Sequence, residues 1–166
     1  MNNLYVSSFE NDWGRFYAAS TEKGLTLLSM PGEKEAIFDA SIEKYFADFK
    51  IVNGNRKNSN VEKQLKKYFN HQLKKFDLKL NICASPFHQK ALKQVYNIRY
   101  GTTASYGDIA RAIGSPRAYR AVGTANAKNK IPLIIPCHRV VATNGIGGYG
   151  GGLNMKKKLL KFEGVL

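Results

Sequence analysis

The sequence predicts a two-domain α+β protein. A small domain over residues 1–83 carries a mostly antiparallel sheet, and a helical domain occupies residues 84–166. Three observations support this. Apolar and polar residues alternate through the first thirty positions and then give way to helical spacing. Composition changes at Ala84-Ser85-Pro86, where a loop and a helix start coincide. Net charge divides at the same place: residues 1–83 hold 13 Lys and Arg against 10 Asp and Glu, a net of +3, whereas residues 84–166 hold 13 against 2, a net of +11.

Taken in order, residues 4–6, 13–19 and 24–30 read as three strands of a meander, separated by Glu10-Asn11-Asp12 and Thr21-Glu22-Lys23-Gly24. Residues 33–49 set Ile37, Ile42, Tyr45, Phe46 and Phe49 at helical spacing, and residues 60–73 do the same with Val61, Leu65, Tyr68 and Phe69. The polar stretch 53–60 is a connecting loop, and residues 76–82 alternate again as a returning strand. Nothing in this half announces chemistry. Cys83 has no base or cationic cluster beside it in sequence and reads as structural.

Ser85-Pro86 supplies the cap and first position of a helix running through Phe87, Ala91, Leu92, Val95 and Ile98, ended by Tyr100-Gly101. Ser105-Tyr106-Gly107-Asp108 has capping-box spacing and opens a helix that Gly114 ends. Ser115-Pro116 then caps a helix over residues 117–126, giving a helix-turn-helix. Its second helix mixes Arg117 and Arg120 with Ala118, Ala121 and Gly123, small residues that let backbone approach a groove and that equally suit close helix packing. The last helix, residues 153–162, carries Lys156-Lys157-Lys158, which reads as a solvated face.

The formal net charge of +14, concentrated in the second half, is the footprint of a polyanion binder, most often nucleic acid; a lysine-rich surface chosen for solubility is the alternative. No stretch approaches a membrane span and the first ten residues lack the pattern of a secretion signal, so a cytoplasmic protein is expected. Two cysteines and three histidines without a Cys-x-x-Cys pair make a structural metal site unexpected. The loop Gly145-Ile146-Gly147-Gly148-Tyr149-Gly150-Gly151-Gly152 lacks the Lys-Ser/Thr ending of a phosphate loop, so no nucleotide cofactor is implied. It is either a flexible turn or a pocket wall where backbone approaches a planar ligand beside the Tyr149 ring.

The chemistry-bearing stretch is Pro132-Leu133-Ile134-Ile135-Pro136-Cys137-His138-Arg139-Val140. The two prolines favour extended backbone before them, so residues 133–135 read as a short buried strand with Cys137 at its end. On extended backbone neighbouring side chains point to opposite faces, so Cys137 and His138 meet only if the chain bends or a water bridges them. From this stretch alone the thiol is as readily an inert buried group as a nucleophile.

Pro136-Cys137-His138-Arg139-Val140, preceded by Ser105-Tyr106, Arg120-Ala121-Val122-Gly123 and Asn129 and followed by Gly148-Tyr149-Gly150-Gly151-Gly152-Leu153 and Glu163-Gly164, resembles the O6-alkylguanine-DNA alkyltransferase family. The likeness covers residues 85–164 with several motifs in order. It implies a ribonuclease-H-like N-terminal domain and a winged helix-turn-helix C-terminal domain. It also implies direct-reversal repair of double-stranded DNA by a monomer, in one irreversible turnover and without a cofactor or metal. Under this resemblance Cys137 accepts the alkyl group, His138 is its general base through water, Glu163 orients His138, and Asn129 braces the segment before the cysteine. Tyr106 hydrogen-bonds the guanine ring nitrogen, and Arg120 enters the duplex as the base flips out. Ser105, Ser115, Arg117, Ala118, Ala121 and Gly123 lie against DNA, and backbone at Cys137, Val140, Tyr149 and Gly150 reads the base.

The chain departs from the family pattern in three places. It lacks the Trp common on the helix before Ser105-Tyr106, has Tyr119 where a small residue is frequent, and has Gly150 where Ser or Ala is frequent. Two other classes of function meet the same residues: a module that only binds alkylated bases, which in such relatives lacks the acceptor Cys, and a winged-helix regulator sensing oxidants through Cys137.

Overall fold

A computed structural model describes all 166 residues and divides into two compact units, residues 1–82 and 83–166. In the first, β1 (Asn3–Asn11), β2 (Gly14–Thr21) and β3 (Gly24–Leu28) form the expected antiparallel meander. A fourth strand, β4 (Lys50–Asn53), lies parallel to β1 at the other edge, giving the order β3-β2-β1-β4. This strand falls in the gap between the helix expected over residues 33–49 and the loop expected over residues 53–60. Its four residues are too few for alternation to register, and the apolar Ile51 is exposed.

Helix α1 (Glu35–Phe46) is shorter than its apolar pattern suggested, and its buried stripe is Phe38, Ile42 and Phe46, spaced four apart. Ile37 and Tyr45, expected inside, lie about 100° round the helix from that stripe and are 53% and 45% exposed. Helix α2 (Ser59–Phe69) buries Val61, Leu65 and Tyr68 as its spacing requires.

Residues 76–82 do not form the expected strand. Phe76 packs on Tyr68 with ring centroids 5.4 Å apart. The Gln64 side chain accepts from the Asp77 N–H and donates to its carbonyl, both at 2.8 Å, doing what a strand neighbour would do. Only one β-bridge remains, Leu80 beside Leu25. There the Lys79 carbonyl sits so close to β3 that a Cβ on Gly24 would lie 2.4 Å from it, and Gly24 itself has φ +131, so both space and backbone require glycine.

In the second unit, α3 (Pro86–Tyr96) begins at the Ser85 cap and ends sooner than its pattern suggested, with Asn97 as C-cap. The capping box is present: the Ser105 side chain accepts from the Asp108 N–H and the Asp108 carboxylate accepts from the Ser105 N–H, opening α4 (Tyr106–Ala112). Helix α5 (Tyr119–Ala127) starts two residues late. Ser115 gives no side-chain cap; instead its carbonyl accepts from the Ala118 N–H at 2.9 Å, closing a turn that holds Ser115, Arg117 and Ala118 outside the helix.

The buried strand expected at residues 133–135 is absent as well. Residues 131–135 make a tight turn with Leu133 at φ +71, and Cys137–Arg139 forms a 3-10 turn. Leu133, Ile134 and Ile135 are fully buried, so the apolar run is core as read, with a different backbone. Side-chain bulk packed on all sides holds a left-handed leucine that would cost roughly 1–2 kcal/mol in an open chain. Strand β6 (Val140–Val141) follows and pairs in parallel with β5 (Ala104–Ser105). Helix α6 (Leu153–Phe162) closes the chain over the span expected. No helix is long and apolar enough to cross a membrane.

The meander is tied to the loop before α2 by Asn58, which is 1% exposed. Its Nδ2 donates to the Tyr5 carbonyl (3.0 Å) and Ser7 Oγ (2.9 Å), while its Oδ1 accepts from Ser20 Oγ (2.6 Å). Replacing it with Ala strands these groups away from water. Asn58→Ala is expected to lower the unfolding free energy by about 3 kcal/mol, read from urea denaturation with an unchanged m-value.

Candidate active site

Every residue from Ile131 to Val140 is buried, so the thiol and imidazole sit within ten consecutive inward-held positions. The 3-10 turn places Cys137 and His138 on curved rather than extended backbone, so the opposite-face argument made for a strand does not apply. His138 is fully buried, and its Nε2 lies 2.8 Å from Glu163 Oε1. Arg139 holds the same carboxylate in two places, Nε to Oε2 and Nη2 to Oε1, each at 2.8 Å, while its Nη1 donates to the Ile98 carbonyl at 2.7 Å.

The protonation states follow from these contacts. Burial by itself would raise the Glu163 carboxyl, but the hydrogen bonds and positive charge of His138 and Arg139 prevail and bring its pKa down to about 2. Burial first, and then the charges of Arg139 and Lys156, depress the His138 imidazole against the pull of Glu163, which leaves the ring neutral at pH 7. An ionised carboxylate only accepts hydrogen bonds, so the ring hydrogen sits on Nε2 and Nδ1 carries the lone pair. Nδ1 is buried with no hydrogen-bond partner on the protein.

Cys137 is 6% exposed, and burial pushes its thiol above the ordinary value, opposed by hydrogen bonds from Asn129 and Tyr149 and by the charge of Lys156. Asn129 also donates to the Ile135 carbonyl (2.9 Å) and accepts from the Ile131 N–H (3.0 Å), spanning the turn before the cysteine. The Tyr149 phenol is raised well above its usual pKa, by burial first and then by Cys137, and stays a hydrogen-bond donor. The site therefore keeps the thiol protonated at rest, with donors toward the sulfur and a neutral imidazole beside it in sequence.

Tyr106 is brought to the same region. Burial raises its phenol, and the Gly148 backbone hydrogen-bonds it. Its ring packs against Gly147 and Gly123: a Cβ on Gly147 would lie 3.2 Å from the Tyr106 hydroxyl and 3.1 Å from the Ala142 nitrogen, at φ +73, so only glycine lets the loop close over the tyrosine. Val140 is buried in β6, and Gly150 is exposed with room for a small side chain, since its nearest neighbour would be the Ala127 carbonyl at 3.9 Å. The glycine-rich loop is thus a wall of the site rather than a loose turn.

On the outer surface, Arg120 and Ala121 are exposed on α5, and Arg117 is exposed in the turn before it. The Arg120 guanidinium lies 6.0 Å from the centre of the Tyr119 ring, itself 49% exposed. Ser105 is engaged in its capping box, and Ser115, Ala118 and Gly123 are half-buried.

Three contributors escaped the sequence reading. Arg139 shares Glu163 with His138. Asn126, 7% exposed, donates to the Cys137 carbonyl at 3.2 Å. Lys156, expected on a solvated face, is completely buried and donates to the carbonyls of Val140 (2.6 Å) and Gly148 (3.0 Å). A helical signal for Lys156 was present: it shares the buried face of α6 with Leu159, Leu160 and Glu163, at spacings of three, four and seven.

Residues 86–165 match the family described as the DNA-binding domain of 6-O-methylguanine DNA methyltransferase. The chain is 38% identical to a methylated-DNA–protein-cysteine methyltransferase of Methanosarcina acetivorans, over 97% of this chain and 99% of that one. It is 48% identical to the protein of that name from Mycobacterium leprae, over 60% of this chain and 61% of that one. Among solved structures, the O6-methylguanine methyltransferase of Mycobacterium tuberculosis superposes with a TM-score of 0.79 at 36% identity, covering 96% of this chain and 92% of that one. A DNA complex from the same organism superposes with a TM-score of 0.79 at 34% identity, covering 96% and 93%.

The depressed Glu163 pKa has a consequence for acid stability. A carboxyl lowered from about 4.5 to about 2 on folding stabilises the protein above pH 4.5, and that stability is lost as pH falls through 2. Wild type is expected to lose about 3 kcal/mol more than Glu163→Gln between pH 5 and pH 2, measured by urea denaturation at each pH.

Proposed function

Because the chain belongs to the methylated-DNA–protein-cysteine methyltransferase family, as the match to the Methanosarcina acetivorans protein over nearly its whole length establishes, we propose that Cys137 is the sulfur that takes the alkyl group from O6 of guanine in duplex DNA. The observation that carries this assignment is the buried His138–Glu163 pair beside Cys137 in the 3-10 turn, with the Nδ1 lone pair uncommitted.

The reaction is a displacement at carbon. The thiol proton passes to His138, directly or through one water, and the imidazolium that forms is stabilised by Glu163. The thiolate attacks the alkyl carbon, the S–C bond forms, and the C–O6 bond breaks with its electron pair left on guanine. Tyr106, a donor at the pocket edge, delivers a hydrogen bond or proton to the guanine ring nitrogen and offsets that charge. The product is a thioether at a buried position with no group placed to displace it, so one protein repairs one lesion.

The base must leave the stack to reach a sulfur that is 6% exposed. Arg120, exposed near the start of α5, is assigned to the space vacated in the duplex, and Val140, Tyr149 and Gly150 to the walls around the base. Arg117, Ala118 and Ser115, in the turn before α5, together with Ala121, Gly123 and Ser105, are assigned to the DNA-facing surface. The net +11 of residues 84–166 suits contact with phosphates.

The finer fold assignments belong to the same reading. A sheet of order β3-β2-β1-β4 with β4 parallel suits a ribonuclease-H-like domain over residues 1–83. Helices α4 and α5 with the β5–β6 pair suit a winged helix-turn-helix carrying the chemistry over residues 84–166. Neither cysteine is in a disulfide, which fits a protein working as a monomer in a reducing cytoplasm.

Two measurements test the assignment. Incubation with a duplex bearing O6-methylguanine is expected to leave one methyl per molecule on the peptide containing Cys137; a methyl-free Cys137 with product formed overturns it. Arg120→Ala is expected to slow transfer from duplex on the order of tenfold or more while leaving transfer from free O6-benzylguanine unchanged, and equal losses on both remove the finger role.

A further inference from the structure

We infer that Lys156 is a positioning residue for the transfer reaction: its ammonium pins the glycine-rich loop to the strand after Cys137 and supplies the positive charge against which the thiolate forms. This rests on the assignment of Cys137 as acceptor.

Lys156 lies within a triple lysine whose other members, Lys157 and Lys158, are exposed, yet it is 0% exposed. Burying an ammonium is costly unless something answers its charge. Its two hydrogen-bond partners, the carbonyls of Val140 and Gly148, carry no net charge. Glu163, farther along the same helical face, commits its carboxylate to His138 and Arg139. The group placed to feel that charge is Cys137, whose thiolate Lys156 favours against the opposing effect of burial. In a dry site such a charge acts through a low dielectric and has large leverage on whether a thiol ionises.

The geometry gives the second half of the role. Val140 begins the strand after the 3-10 turn, and Gly148 precedes Tyr149, whose phenol bonds Cys137. Past Val141 the residues between them make no regular structure beyond a β-bridge, so a donor bonding both carbonyls fixes how the loop presents Tyr149 to the sulfur and Gly148 to Tyr106. A methionine of similar length would fill the same space and do neither.

The titratable groups that feel Lys156 are Cys137 and His138 on the 3-10 turn; Glu163, on the same helical face, is held by His138 and Arg139, and Tyr149 on the loop bonds Cys137. Burial lowers its own pKa to about 8, with Cys137 acting to raise it. A neutral amine still donates to the two carbonyls, so raising the pH removes the charge and leaves the pin in place.

The test compares wild type, Lys156→Met and Lys156→Arg, each checked for folding by circular dichroism. The rate of Cys137 alkylation by iodoacetamide is followed by peptide mass from pH 6 to 10, alongside methyl transfer from an O6-methylguanine duplex. Lys156→Met is expected to shift the thiol ionisation midpoint up by about one unit and to slow transfer on the order of tenfold or more. Wild-type transfer should fall off above about pH 8, and Lys156→Arg, whose charge persists, should extend activity to higher pH. A folded Lys156→Met with the wild-type midpoint overturns the proposal. If that variant does not fold, identical alkaline limbs in wild type and Lys156→Arg overturn it instead. A methyl found on a residue other than Cys137 would overturn the acceptor assignment, and the iodoacetamide profile would still report on Lys156.

Discussion

One buried carboxylate organises the reactive half of this protein. Glu163 receives His138 on one oxygen and Arg139 on both, and Arg139 reaches on to the Ile98 carbonyl beyond α3. A single acidic side chain thus joins the residue after α6, the 3-10 turn and the chain after α3. Its ionisation also dictates which imidazole nitrogen bears hydrogen. Set against a well-packed apolar replacement, a buried ion pair of this kind adds little net stability, because desolvation opposes the attraction, and its value lies in permitting one arrangement where an apolar core would tolerate several.

The walls of the site follow a second rule. Between α5 and α6 the chain runs through turns, a 3-10 turn, two strand residues and a glycine-rich loop, so most carbonyls there have no ladder partner. Side-chain nitrogens take up the work: Asn126 on Cys137, Asn129 on Ile135, Lys156 on Val140 and Gly148. Buried backbone must be satisfied somehow, and satisfying it from side chains lets an irregular segment be as rigid as a helix. Rigidity without regularity is what a pocket for a flat base requires.

The parts of the molecule visible in the sequence are those governed by local rules. The meander, the capping box at Ser105 and Asp108, the Ser85 cap and the span of α6 all depend on residues a few positions apart. The failures share a cause as well. Residues 133–135 look like a strand because Leu and Ile between prolines favour extension, yet packing forces Leu133 into left-handed backbone. Residues 76–82 alternate, but the Gln64 amide takes the place a neighbouring strand would fill. Lys156 was hidden by its charge, since a lysine triplet ordinarily faces water and only the helical phase of α6 betrays the inward member. Cys137, His138, Glu163, Tyr106 and Asn129 were legible through resemblance, whereas Arg139 and Asn126 became visible only when distant carbonyls came within reach.

The parallel pairing of Ala104-Ser105 with Val140-Val141 bears on when reactivity appears during folding. Two residue pairs give little in return for closing a long stretch of chain, so this ladder forms only together with the packing of α4, α5 and the turn around Cys137. Tyr106 and Cys137 come from opposite ends of that closure, and Glu163 from farther still. A nascent or partly unfolded chain therefore carries an ordinary thiol with no base, no donor and no pocket. The surroundings of the sulfur and the cooperative fold therefore arrive as a single event.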